Sequence, residues 1–204
     1  MMRFLFCFLI FGLVHLSPAA TKTIVCLGDS LTAGYGLPNP AAQAYPALIQ
    51  DKIDAAKLPW RVVNAGISGD TTAGGLRRID WLLRQPIDIL ILALGGNDGL
   101  RGVDPAVTRE NLIGIIERAR TRYPNIEIIL AGMQMPANLG PDYQTRYREV
   151  FPTVATAKDC ALIPFLLEGV GGDPNLNQPD MIHPTAAGQQ RIAETVWAVL
   201  RPKL

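Results

Sequence analysis

The sequence predicts an α/β protein, a three-layer α/β/α sandwich around a five-stranded parallel sheet. Three observations carry that expectation. Short apolar runs of strand length alternate with longer segments of helical period, which is the pattern of βαβ units. The clearest of those runs are continuously apolar rather than alternating, as strands covered on both faces must be. The 204 residues are 49% hydrophobic and 18% charged, enough apolar side chain for one full-sized core.

The elements follow in order. Residues 23–27 (TIVCL) form a first strand that stops at Gly28. Tyr45, Leu48, Ile49 and Ile53 recur at helical spacing and predict a helix over 44–56. Residues 61–64 are a second strand, running into the glycine-rich stretch 66–75, and Leu76, Ile79, Leu82 and Leu83 make the next helical stripe. Residues 87–94 (IDILILAL) are the third strand and again end on glycines, Gly95-Gly96. Pro105 suits the first turn of a helix reaching residue 122, because the donor it lacks would be unused there. Residues 127–131 (EIILA) and 161–164 supply strands four and five, flanked by helices over 143–158 and 184–200. No internal repeat, Ser/Gly linker or second core interrupts this series, so residues 21–204 read as a single domain.

Residues 1–20 read differently. A basic start at Arg3 precedes an apolar run from Phe4 to Val14, and Ser17-Pro18-Ala19 meets the small-x-small requirement of signal peptidase. A run of about 11 residues is too short for a bilayer that needs about 20. The expectation is a signal peptide cut after Ala19 or Ala20, and an exported, periplasmic or secreted protein; an uncleaved anchor is the competing reading. Loss of the leader removes Arg3 and leaves equal numbers of basic and acidic side chains. A neutral chain without a Lys/Arg block is not expected to bind nucleic acid. Two cysteines remain, Cys26 and Cys160, both in apolar stretches and both expected as buried free thiols. One histidine remains, His183, so a multi-histidine zinc site is excluded and the natural proton carrier near neutral pH is a single residue.

Ligands of parallel α/β sheets bind at the carboxyl ends of the strands, and the residues with useful chemistry fall there. Gly28-Asp29-Ser30-Leu31 follows strand one and would present a hydroxyl at a strand-to-helix turn, although a helix-capping serine serves equally well for the tetrapeptide alone. Asp180-Met181-Ile182-His183-Pro184 puts a carboxylate three residues before the imidazole, able to fix its tautomer. Pro184 as a first helical residue would make His183 a helix N-cap. Gly69 after strand two and Asn97 in Gly95-Gly96-Asn97-Asp98 after strand three complete the set; with the Ser30 amide they could donate to a developing oxyanion, or simply build turns.

Taken together these segments resemble the SGNH (GDSL) hydrolases, whose four signature residues align with Ser30, Gly69, Asn97 and His183. The resemblance runs from about Thr23 to Leu200. It is strongest to the bacterial acyl-CoA thioesterases, arylesterases and lysophospholipases, through Gly28 to Tyr35, Ile67 to Thr71, Leu94 to Gly102 and Pro136-Ala137-Asn138. It implies a flavodoxin-like sheet, a catalytic triad of Ser30, Asp180 and His183, an oxyanion hole of Ser30, Gly69 and Asn97, and an acyl-enzyme route without metal or other cofactor. The apolar loop after strand four suggests Met135, Pro136 and Leu139 as contacts for an acyl chain; Arg101 is expected to be solvated. The expected partner is a small acyl ester or thioester met by a monomer. A carbohydrate acetylesterase of the same family and a non-catalytic binding protein on this scaffold are the alternatives.

Overall fold

The computed structural model describes residues 21–204, so the leader lies outside the described residues. The chain runs β1 (Lys22–Gly28), α1 (Ser30–Ala33), α2 (Pro40–Gln43), α3 (Tyr45–Ala55), β2 (Trp60–Gly66) and α4 (Thr72–Leu82). It continues through β3 (Ile89–Ala93), α5 (Gly96–Leu100), α6 (Pro105–Arg122), β4 (Glu127–Ala131), α7 (Pro141–Ala157), β5 (Ala161–Ile163) and α8 (Ala186–Leu200). Short 3₁₀ turns lie at Ala137–Leu139 and Arg201–Lys203. All strand pairs are parallel and the sheet order is β2-β1-β3-β4-β5. This is the three-layer, flavodoxin-like sandwich that the sequence predicts.

The order explains the burial. β3 lies at the centre and each of its five residues is buried, whereas the edge strands β2 and β5 are mostly half-exposed. α3 packs on α8 on one face; α4, α6 and α7 form a contiguous row on the other. Strand order reverses between β1 and β3, where the loops leaving the two strands diverge to opposite faces and leave a crevice. Among the described residues no helix is long and apolar enough to cross a membrane.

Several expectations need correcting in detail. β1 and β2 are longer than the sequence suggests, because strand residues beside a paired neighbour extend wherever the partner's backbone is available, as Lys22 opposite Trp60 and Gly28 opposite Gly66 show. β3 is shorter, since Ile87 and Asp88 precede the ladder and Leu94 leaves it. The last helix does not begin at 184 and His183 is not its N-cap. Thr185 holds that position, accepting from the Gly188 N–H at 3.3 Å, while Pro184 bridges Asn177. Cys160 is half-buried rather than buried, because β5 is an edge strand; both thiols are free.

Candidate active site

Ser30 is the first residue of α1 and follows β1 after a single intervening residue. That residue, Asp29, caps the helix by accepting from the Leu31 N–H at 3.0 Å. The turn is tight because Gly28 lies against Thr32: a Cβ at 28 would sit 1.9 Å from the Thr32 hydroxyl. Being the first residue of the helix, Ser30 has no intrahelical acceptor for its own N–H. Its hydroxyl lies 2.9 Å from His183 Nε2.

His183 comes from the irregular segment between β5 and α8, and that segment is shaped by Asp180. Asp180 Oδ1 accepts from the N–H groups of Ile182 and His183, both at 3.0 Å, and Oδ2 lies 2.6 Å from His183 Nδ1. The tight turn this requires puts Met181 at φ +59°, in the left-handed region. The side-chain bond to His183, then the backbone bonds, lower the Asp180 pKa from 3.8 to about 2. An ionised carboxylate accepts only, so Nδ1 carries a proton and Nε2 is left to accept from the Ser30 hydroxyl. The ring of Tyr35 lies against the imidazole, tilted by 45°, with centroids 4.6 Å apart.

Asn97 sits on the first turn of α5 rather than in an Asx turn. Its Nδ2 donates to the Asp70 carbonyl at 2.9 Å and, over a longer 3.3 Å, to Asp29 Oδ2. Gly69 occupies an exposed turn at φ +81°, a conformation open to glycine without strain, and its carbonyl accepts from Arg101 Nη2 at 3.1 Å. Asn97 and Arg101, four residues apart at the start and end of α5, therefore hold successive carbonyls of the Gly69–Asp70 loop. Asp29 is nearly fully buried, and desolvation raises its pKa from 3.8 to about 6 despite the Leu31 N–H and the nearby His183.

A cleft of about 490 Å³ opens beside Ser30 and His183. Its apolar wall includes Leu100, Met133, Met135, Pro136, Phe165 and Ile182. Met135 and Pro136 thus lie on the cleft wall. Leu139 does not: it packs half-buried on the core, because the 3₁₀ turn carries it inward, and it is absent from the cleft wall. Arg101 is exposed but engaged with Gly69. Among the described residues no cluster of three or more His, Cys, Asp or Glu side chains could hold a metal ion.

A sequence profile of the GDSL-like Lipase/Acylhydrolase family matches residues 26–191, which takes in every one of these groups. The chain belongs to that family. Among curated GDSL relatives it is 43% identical over 187 residues to the esterase TesA of Pseudomonas aeruginosa, covering 91% of each chain. It is 39% identical over 196 residues to thioesterase 1/protease 1/lysophospholipase L1 of Escherichia coli strain K12, covering 96% of this chain and 91% of that one. A crystal structure of TesA superposes with a TM-score of 0.85 at 42% identity, over 90% of this chain and 100% of that one.

Two features of this GDSL site escape a reading of the sequence. Asp29 looks like part of a signature tetrapeptide, yet its carboxyl faces the Asn97 amide. Arg78 lies on the second turn of α4, and only its contacts show that it reaches the strand ends. No pattern in one dimension marks either role.

Proposed function

We propose that this GDSL hydrolase is a serine esterase/thioesterase that cleaves acyl esters or thioesters through an acyl-enzyme on Ser30. The carrying observation is the hydrogen-bonded chain Ser30–His183–Asp180 at the mouth of an apolar cleft. His183 Nε2 takes the Ser30 proton as Oγ attacks the carbonyl, and Asp180 stabilises the imidazolium that forms. The Ser30 and Gly69 N–H groups and the Asn97 amide would receive the oxyanion; of the two Asn97 contacts, the one to Asp29 over 3.3 Å is the longer and the one the oxyanion would replace, while the bond to the Asp70 carbonyl holds the amide in place. The imidazolium returns its proton to the leaving alcohol or thiol. Water then repeats the sequence and frees the acid. Met133, Met135 and Pro136 would line the acyl chain, the thioethers adapting to its shape.

The relatives named esterase and thioesterase/lysophospholipase support this substrate class. Export with removal of residues 1–20, and a monomeric state, complete the proposal. Ser30→Ala is expected to abolish turnover of p-nitrophenyl esters with the fold intact by circular dichroism. Asp180→Asn, which loses the tautomer control, should lower kcat by about 10²–10⁴-fold. Rates should fall toward acid pH, because the mechanism needs an unprotonated imidazole to take the Ser30 proton. Retained activity in Ser30→Ala refutes the assignment. A panel of esters of rising chain length separates an acyl-chain enzyme from an acetylesterase, which would favour acetate.

A further inference from the structure

Three segments supply the oxyanion donors of the proposed mechanism: the end of β1 leading to Ser30, the loop after β2 holding Gly69, and α5 carrying Asn97. One side chain that touches no substrate ties them together. Arg78, on α4, donates from Nη2 to the Gly28 carbonyl at 3.0 Å, two residues before Ser30. Its Nη1 donates to the Ala65 carbonyl at the end of β2 at 2.8 Å. Its Nε pairs with Asp70 Oδ2 at 2.7 Å, and Asp70 follows Gly69 directly. The Asp70 carbonyl in turn accepts from Asn97 Nδ2. Both partners of the ion pair are largely withdrawn from water, with side-chain exposures of 18% and 10%.

The local packing leaves this carboxylate little freedom. Asp70 Oδ1 accepts from the Thr71 N–H at 3.0 Å, and a Cβ at Gly74 would stand 1.7 Å from that oxygen. Gly74 is what lets the carboxylate lie against α4 within reach of Arg78. At the other end, the two carbonyls lie on adjacent paired strands, where Gly28 faces Gly66. A planar guanidinium presents donors in a fixed fork and can meet three acceptors in different directions at once; an ammonium cannot hold that arrangement.

We propose that Arg78 is a positioning residue that sets the oxyanion donors relative to the nucleophile, by fixing the Gly69–Asp70 turn against the ends of β1 and β2. Misplacing preorganised donors by about 1 Å can cost about 100-fold in rate. The proposal rests on the serine-esterase reading of the site, and the experiment separates the two. Arg78→Met, Arg78→Lys and Asp70→Asn are compared with the parent, with Ser30→Ala, and with Arg118→Ala, which removes a different arginine bonded to the same helix through Leu76 and Asp80. The full chain is assayed on one p-nitrophenyl ester, with kcat expressed per site titrated by a fluorophosphonate in every chain that keeps Ser30 and per mole of folded protein for Ser30→Ala.

The expected result for Arg78→Met is a kcat about 10–100-fold lower with KM changed less than about threefold. Arg78→Lys and Asp70→Asn fall between it and the parent, and Arg118→Ala matches the parent. The acid limb of the pH–rate profile stays in place, because the Asp180–His183 pair is untouched. A merely structural arginine would lower the melting temperature or the titrated fraction and leave kcat per site unchanged; that result overturns the proposal, as does a loss confined to KM. If Arg78→Met yields no folded enzyme, Arg78→Lys and Asp70→Asn decide by the same criterion. An inactive Ser30→Ala beside parent-like Arg78 variants defeats this inference alone, whereas an active Ser30→Ala defeats the mechanism and the inference with it.

Discussion

Two carboxyl groups a few residues' reach from the same serine are driven in opposite directions by their surroundings. Asp180 is partly open to water and gains three hydrogen bonds, so its charged form is favoured. Asp29 loses its hydration on burial and gains only one firm donor, so its neutral form is favoured. The consequences for stability differ in sign. Asp180, lowered to about 2, adds stability above its ordinary 3.8 that is lost as pH falls through about 2. Asp29, raised to about 6, binds its proton more tightly in the folded chain than in the unfolded one. Its contribution is therefore complete below 3.8 and disappears as pH climbs through about 6. Asp29→Asn should remove that dependence. Unfolding free energies of variant and parent, measured by chemical denaturation from about pH 4 to about pH 7, should diverge in favour of the variant as pH rises, by about 2 kcal/mol in all. A constant difference across that range would show that Asp29 does not titrate as its burial requires.

At the level of elements, the site is assembled from segment ends that are short of room. α8 begins where its Gly188 lies against the segment that carries Asp180 and His183: a Cβ there would stand 2.2 Å from the Leu176 carbonyl oxygen and 2.9 Å from Pro184. The Thr185 N–H also donates to that same carbonyl at 2.9 Å. Neither the Leu176 carbonyl nor the Pro184 ring can yield without shifting residues 176–184, which include Asp180 and His183. Gly188→Ala should therefore destabilise by about 1–3 kcal/mol despite the better helix propensity of alanine, and lower kcat as well. Chemical denaturation and ester kinetics measure the two losses. An alanine variant as stable and active as the parent would mean the segment has slack that the packing does not suggest. The periodicity of 186–200 reveals this helix plainly, whereas the collision at its first turn involves the carbonyl of Leu176, 12 positions earlier, and only the folded chain displays it.

Across the whole molecule, the sheet order sets what the two thiols can do. Cys26 lies on β1 and Cys160 just before β5, with β3 and β4 between them. Three strand spacings come to roughly 14 Å, about twice the reach of a disulfide. Cys26 is fully buried at the sheet's centre, which pushes its thiol up to about 12. Burial also raises Cys160, though it is half-exposed and near the Arg120 guanidinium. A thiol reagent on the native protein should therefore modify Cys160 slowly and spare Cys26 until denaturant opens the sheet. Rapid modification of both under native conditions would contradict a closed three-layer core.

The sequence by itself determined the layered architecture, since continuous apolar strands alternating with amphipathic helices have few other ways to bury their surfaces. The sequence also marks the side chains of the candidate site, because His183, the carboxylate three residues before it and a serine after the first strand are local patterns. Tertiary structure alone decided how those groups are held. The reach of Arg78 to two strand ends, the burial that raises the Asp29 pKa, the inward turn of Leu139 and the cap at Thr185 all depend on distances between segments far apart in the chain. Such distances follow from the packing of the sheet and its helices, and no local periodicity encodes them.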